Sequence, residues 1–175
     1  AWQEGHGDLG AGAQVLADRF RVAPADIRVR TDEDGAPRVA DRPDCRISIA
    51  HSGERAVAVA ASRSVGVDLE RIQTRREDLY RAFLAPDEYE LLDALCTDED
   101  GDARGDAMAA QILCWTLKEA ALKARGTGLR VSPKTLRIVL EEAGAARVRD
   151  REGTGSWTVR YERRDDYLLS IAYPV

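Results

Sequence analysis

Apolar and polar residues alternate along several short stretches of this chain, and two stretches repeat one plan. ISIAHSGERAVAVAA (47–61) and VRYERRDDYLLSIAY (159–173) each alternate, break at a polar turn and resume, as half-buried strands joined by a tight connection do. The spacing predicts strands near 26–31, 45–50 and 55–61 in the first half, and near 135–141, 156–162 and 167–173 in the second. Each set follows a helical stretch, 9–20 in the first half and 107–125 in the second. The expected fold is α+β: two similar lobes related by a pseudo-twofold axis, each a helix packed on a small, mainly antiparallel sheet, with a cleft between them. Lobes 1–64 and 107–175 flank a segment, 65–106, that holds one further strand and a linker helix. That helix, from about Pro86 to Leu95, opens with proline in its first turn and early acids. The acidic run 97–106 reads as a loop, since it lacks the spacing and closing glutamate of a calcium loop.

The second helix carries the strongest chemical signal. AMAAQILCWTLKEAALKAR (107–125) is rich in Ala, Leu, Lys and Glu, lacks Gly and Pro, and is followed by Gly126 and Gly128 as a stop. The chain has three lysines against 23 arginines, yet Lys118 and Lys123 both fall here, flanking Glu119. Lysine can give up a proton and guanidinium cannot, so lysine in an arginine-rich chain points to chemistry. Trp115, Glu119 and Lys123 stack at i, i+4 and i+8, with Lys118 on the neighbouring ridge. Trp115 reads as a packing residue. An ordinary surface Glu–Lys pair, worth about 0.2–0.5 kcal/mol, is the plain alternative.

A second element changes the weighing. SVGVDLE (64–70) reads as a short strand with Asp68 and Glu70 on one face. Two neighbouring carboxylates repel unless water or a cation separates them. Mg²⁺ suits them, because it takes hard oxygen ligands and leaves positions for waters and substrate phosphates. Glu119 would supply a third carboxylate.

GVDLE followed by W-x-x-K-E-x-x-x-K resembles the signature pair of the 4′-phosphopantetheinyl transferases, of the two-lobed type that activates peptide and polyketide synthases. ISIAHSG (47–53), FLAPDEYEL (83–91) and GTGL (126–129) are similar to three further blocks of that family, in its order. The resemblance implies transfer of the phosphopantetheine arm of coenzyme A to a serine of an acyl or peptidyl carrier protein, with release of adenosine 3′,5′-bisphosphate. It implies that Asp68, Glu70 and Glu119 hold Mg²⁺ and that Asp68 and Lys123 face the coenzyme A pyrophosphate in the cleft. Glu119 would take the serine proton and Lys123 would stabilise the leaving phosphate. His51 would contact the 3′-phosphate, with Ser52 beside it.

The chain departs from the family pattern in places. The serine before the histidine is Ala50, and the G-K-P segment reads Gly35-Ala36-Pro37, so Arg38 is the candidate replacement cation. The chain opens AWQEGHGDLG, without the strand and helix that the resemblance leads one to expect before this segment, which fits truncation, excision from a longer polypeptide or a naturally reduced N-terminal lobe. Excision from a larger synthase is the expectation, with the enediyne polyketide synthases as the model and the carrier domain in the same polypeptide. The Arg, Ala and Asp bias resembles high-GC actinobacterial coding and fits that origin. The alternative is a catalytically impaired module that binds coenzyme A or a carrier protein.

Composition narrows the setting. At 175 residues and 44% hydrophobic, the chain suffices for one domain or two small lobes. No apolar run reaches a membrane span, and a net charge of −5 argues against general nucleic-acid binding. Cys45, Cys96 and Cys114 are odd in number and lack C-x-x-C spacing, which reads as reduced thiols in the cytoplasm. Arg71, Arg75, Arg76 and Arg81 follow the acidic strand and are candidates to steer an acidic carrier protein.

Overall fold

The computed structural model describes residues 2–3, 23–33, 35–40, 42–76, 78–96, 106–142 and 144–175. Among these described residues ten strands form two five-stranded antiparallel sheets. The first contains β1 (Trp2–Gln3), β2 (Val29–Thr31), β3 (Pro37–Val39), β4 (Arg46–Ser52) and β5 (Arg55–Ala61), in the order β1-β5-β4-β3-β2. The second contains β6 (Gly66–Arg71), β7 (Leu136–Leu140), β8 (Ala145–Asp150), β9 (Ser156–Arg164) and β10 (Tyr167–Pro174), in the order β6-β10-β9-β8-β7. The order is the same in both: four strands form a meander, and the last returns to pair with an earlier, separate strand. The α+β fold with two like lobes is therefore present. The strand assigned to the linker is built into the second sheet, where Asp68 lies opposite Ser170.

Helix α2 (Ala107–Arg125) has the expected bounds. Asp106 caps its start, accepting from Met108 N at 2.8 Å, and Gly126, at φ +84°, ends it in the left-handed conformation that glycine adopts without strain. The main core lies between this helix and the second sheet, with Ile112, Leu117 and Leu122 packed against Leu136, Val148 and Leu168. Among the described residues no helix is long and apolar enough to cross a membrane.

Several local expectations change. The linker helix is broken: a 3-10 turn at Pro86–Glu88 precedes α1 (Glu90–Cys96), and Glu88 folds back to accept from Ala85 N at 3.1 Å. The strand near 26–31 shrinks to three residues, because Pro24–Asp26 forms a 3-10 turn. Strands β3 and β8 were not foreseen. The former is too short to show a period, and the inward positions of the latter include the charged Asp150. The expected helix at 9–20 and most of the loop 97–106 lie outside the described residues.

Candidate functional site

The site begins with a glycine. Strand β6 runs so close to α2 that a Cβ on Gly66 would sit 2.0 Å from the Ala120 carbonyl oxygen and 2.4 Å from Ala124 N. Only glycine permits that approach. Ser64, just before the strand, donates to the Ala124 carbonyl and fixes the same junction. Asp68, one residue pair further along, is thereby placed against the last turns of α2.

Lys123 Nζ donates to Asp68 Oδ1 at 2.9 Å. Asp68 is 4% exposed, and its burial raises the carboxyl pKa above the ordinary value despite the opposing Lys123 charge. Glu119, one turn before Lys123, is pushed up to about 7, chiefly by desolvation and further by Asp68 and Glu70, with Lys123 opposing. Asp68 Oδ2 and Glu119 Oε2 are both buried without a hydrogen-bond partner. Such orphaned acceptors are costly unless something fills them.

Glu70 is held differently. Its Oε2 accepts from Arg75 Nη2 at 2.7 Å and from Ser52 Oγ at 3.3 Å, and its Oε1 accepts from Trp115 Nε1 at 3.2 Å. Among the described residues no three His, Cys, Asp or Glu side chains are gathered closely enough to hold a metal ion. The two orphaned carboxylate oxygens are nonetheless hard donors of the kind Mg²⁺ takes, so the residues fit that ion.

A cleft of about 610 Å³ opens beside this cluster. Glu119 and Lys123 line it from α2, and Arg38, Arg46 and Ser48 line it from the first sheet. Arg38 Nε donates to Asp32 Oδ2 at 2.8 Å. His51 is exposed near the far end of β4 and does not line this cleft, while Ser52 serves the Glu70 cluster instead.

Sequence reasoning missed three features. Trp115 packs edge-on against Phe83, as a packing residue should, but its indole also orients Glu70. Arg75 turns inward to Glu70, while Arg71 and Arg76 pair with Asp166 and Asp78 at the surface. Lys118 is fully buried and donates to Glu88 Oε2 at 2.7 Å, Leu136 O at 2.9 Å and Phe83 O at 3.0 Å. The two helix lysines thus divide: Lys118 ties the helix to its surroundings and Lys123 faces the cleft.

The family model of the 4′-phosphopantetheinyl transferase superfamily matches residues 64–172, which include both halves of this cluster. A 4′-phosphopantetheinyl transferase of Bacillus subtilis is 26% identical over 158 residues, covering 90% of this chain and 67% of its own length. The 4′-phosphopantetheinyl transferase Sfp of Bacillus subtilis strain 168 is 28% identical over 130 residues, covering 74% of this chain and 55% of its own length. The chain therefore spans between about half and two thirds of these relatives. The crystal structure of Helicobacter pylori holo-[acyl-carrier-protein] synthase in complex with coenzyme A aligns at a TM-score of 0.48 and 17% identity, covering 63% of this chain and 99% of that one. With more than half of its length matched by the family model, this chain belongs to the 4′-phosphopantetheinyl transferase superfamily, and its Bacillus relatives are of the surfactin-activating type.

Proposed function

We propose that the chain transfers the 4′-phosphopantetheine arm of coenzyme A to a serine of an acyl or peptidyl carrier protein, releasing adenosine 3′,5′-bisphosphate. The observation that carries this reading is the Asp68–Lys123 ion pair beside Glu119 at the cleft, with one unpartnered oxygen on each acid. Asp68 and Glu119 would hold Mg²⁺, joined by Glu70 when it leaves Arg75. The bound ion neutralises charge on the phosphoryl oxygens.

The residues divide the work. The carrier serine oxygen forms a bond to the arm's phosphorus while the bridging P–O bond to the nucleotide breaks. Glu119 accepts the hydroxyl proton. Lys123 presents its ammonium to the leaving phosphate and offsets the charge that develops there. Asp68 keeps that ammonium aimed. The thiols are bystanders: Cys114 is buried with its pKa pushed up to about 12, and all three cysteines are free. Unpaired thiols support the reading that the protein works in the cytoplasm. A carrier domain of a polyketide synthase, in antibiotic biosynthesis, is the acceptor this reading favours.

The test is a mass-shift assay with apo carrier protein, coenzyme A and Mg²⁺. The carrier gains one phosphopantetheine, and EDTA or Glu119→Ala abolishes the gain. Undiminished transfer by Asp68→Ala overturns the mechanism. Coenzyme A binding without any transfer assigns the chain to the impaired-module alternative.

A further inference from the structure

The acids of the cluster are not equally available. Asp68 and Glu119 each keep one buried oxygen without a partner, whereas both oxygens of Glu70 are taken. Arg75 makes the difference. Its Nη2 donates to Glu70 Oε2 at 2.7 Å, with both side chains mostly withdrawn from solvent. A guanidinium thus supplies the positive charge that the transfer reading expects of a metal ion. Among the described residues no three acids are gathered closely enough to hold one.

The inward seat of Arg75 is an imperfect one. Its Nε is buried without a hydrogen-bond partner, which costs free energy for as long as the side chain points inward. Residues 72–76 form neither helix nor strand, and a cavity of about 660 Å³ opens beside Arg75. Asp106, Met108 and Gln111, from the start of α2, line the same cavity. Asp106 is the one carboxylate among its described lining residues. It caps α2 through Oδ1, and the cap makes no use of its second oxygen.

We propose that Arg75 is a positioning residue that sets the affinity for Mg²⁺. It withholds Glu70 in the metal-free protein and moves across the cavity to Asp106 when Glu70 joins Asp68 and Glu119. This inference rests on the transfer reading, which supplies the ion. Glu70 Oε2 changes partner, while Oε1 stays on Trp115 and keeps the carboxylate oriented. Breaking the Glu70–Arg75 pair opposes metal capture, so the apparent affinity is reduced by the fraction of molecules with Glu70 already released. Asp106 offsets part of that cost by giving the guanidinium a second carboxylate.

Calorimetric titration of Mg²⁺ alone into metal-free wild type, Arg75→Gln, Asp106→Asn and the double variant tests this, with Arg71→Gln as a control for charge. Arg75→Gln binds Mg²⁺ at least about tenfold more tightly than the wild type, as expected when a charge-assisted hydrogen bond no longer has to break. Arg71, next to Glu70 in sequence, pairs with Asp166 instead. Arg71→Gln therefore changes the affinity by less than about twofold, as a screened surface charge does. Asp106→Asn keeps the helix cap, because asparagine caps as well as aspartate. It weakens Mg²⁺ binding about threefold, the scale of an exposed ion pair, and has no effect in the Arg75→Gln background. Unchanged or weaker binding by Arg75→Gln, an equal gain in Arg71→Gln, or an Asp106→Asn effect that persists in the double variant overturns this inference only. Absence of Mg²⁺ binding by both the wild type and Arg75→Gln overturns the metal site of the transfer reading itself.

Discussion

Lys118 and Glu88 form an ion pair of 2.7 Å with both side chains withdrawn from solvent, at 0% and 1% exposure. Glu88 also accepts from Ile138 N at 2.9 Å, so one carboxylate joins the helix, the 86–88 turn and strand β7. Burial lowers the Lys118 pKa, opposed by Glu88. Removing Glu88 strands Lys118 in the core, and removing Lys118 leaves Glu88 with Arg151, at 3.1 Å, as its cation. Lys118→Met and Glu88→Gln should each cost about 3 kcal/mol, and the double variant should cost clearly less than their sum. Denaturant midpoints of the four proteins check this.

Gly66→Ala tests the junction of β6 and α2. Its Cβ would meet backbone atoms, which cannot swing aside, so the strand must retreat from the helix. A loss of about 3 kcal/mol is expected, at the upper end of overpacking costs. The Lys123–Asp68 contact should loosen with it. Thermal denaturation reads the first effect and the mass-shift assay the second.

The Glu119 carboxyl gives a pH signature. Its folded pKa of about 7 lies above the ordinary 4.5, so the folded state binds a proton that the unfolded chain has released. Stability attributable to this group is full below about pH 4.5 and falls as pH rises towards 7. In metal-free protein, Glu119→Gln should therefore be more stable than the wild type at pH 8, by up to about 3 kcal/mol, with the gap closing near pH 4.5. Equal denaturation midpoints at pH 8 would refute it.

Trp115→Phe separates packing from orientation. The ring contact with Phe83 is retained while the donor to Glu70 is lost. Transfer should fall about tenfold with little change in melting temperature, the scale of one hydrogen bond to a charged group. An equal fall in both would make Trp115 purely structural.

The surface arginines should be unequal in carrier recognition. Charge reversal at Arg71, Arg76 or Arg81 should lower kcat/KM for an acidic carrier mainly at low salt, as steering charges do. Arg75→Glu should act through Glu70 and persist at high salt, because its guanidinium faces inward. Stopped-flow rates at two ionic strengths distinguish the two behaviours.

Much of this was legible along the chain, for identifiable reasons. The bounds of α2 follow from uninterrupted helix formers ended by Gly126, and the pairing of Asp68 with the helix follows from the family blocks. The inward turn of Arg75 and the burial of Lys118 were not legible, because both depend on partners 5 and 30 residues away. Glycine in GVDLE was visible as a motif letter, but its reason, the contact with the Ala120 carbonyl, exists only in three dimensions.

The meeting of the two sheets has one more consequence. Val67 N donates to Ser48 Oγ and Arg71 N to Ser52 Oγ, each at 3.0 Å, so hydroxyls on the face of β4 cover the outer edge of β6. An uncovered edge strand recruits strands from other molecules. The serines therefore act as guards against self-association, and Ser48→Ala should make the protein prone to aggregate under conditions where the wild type stays monodisperse.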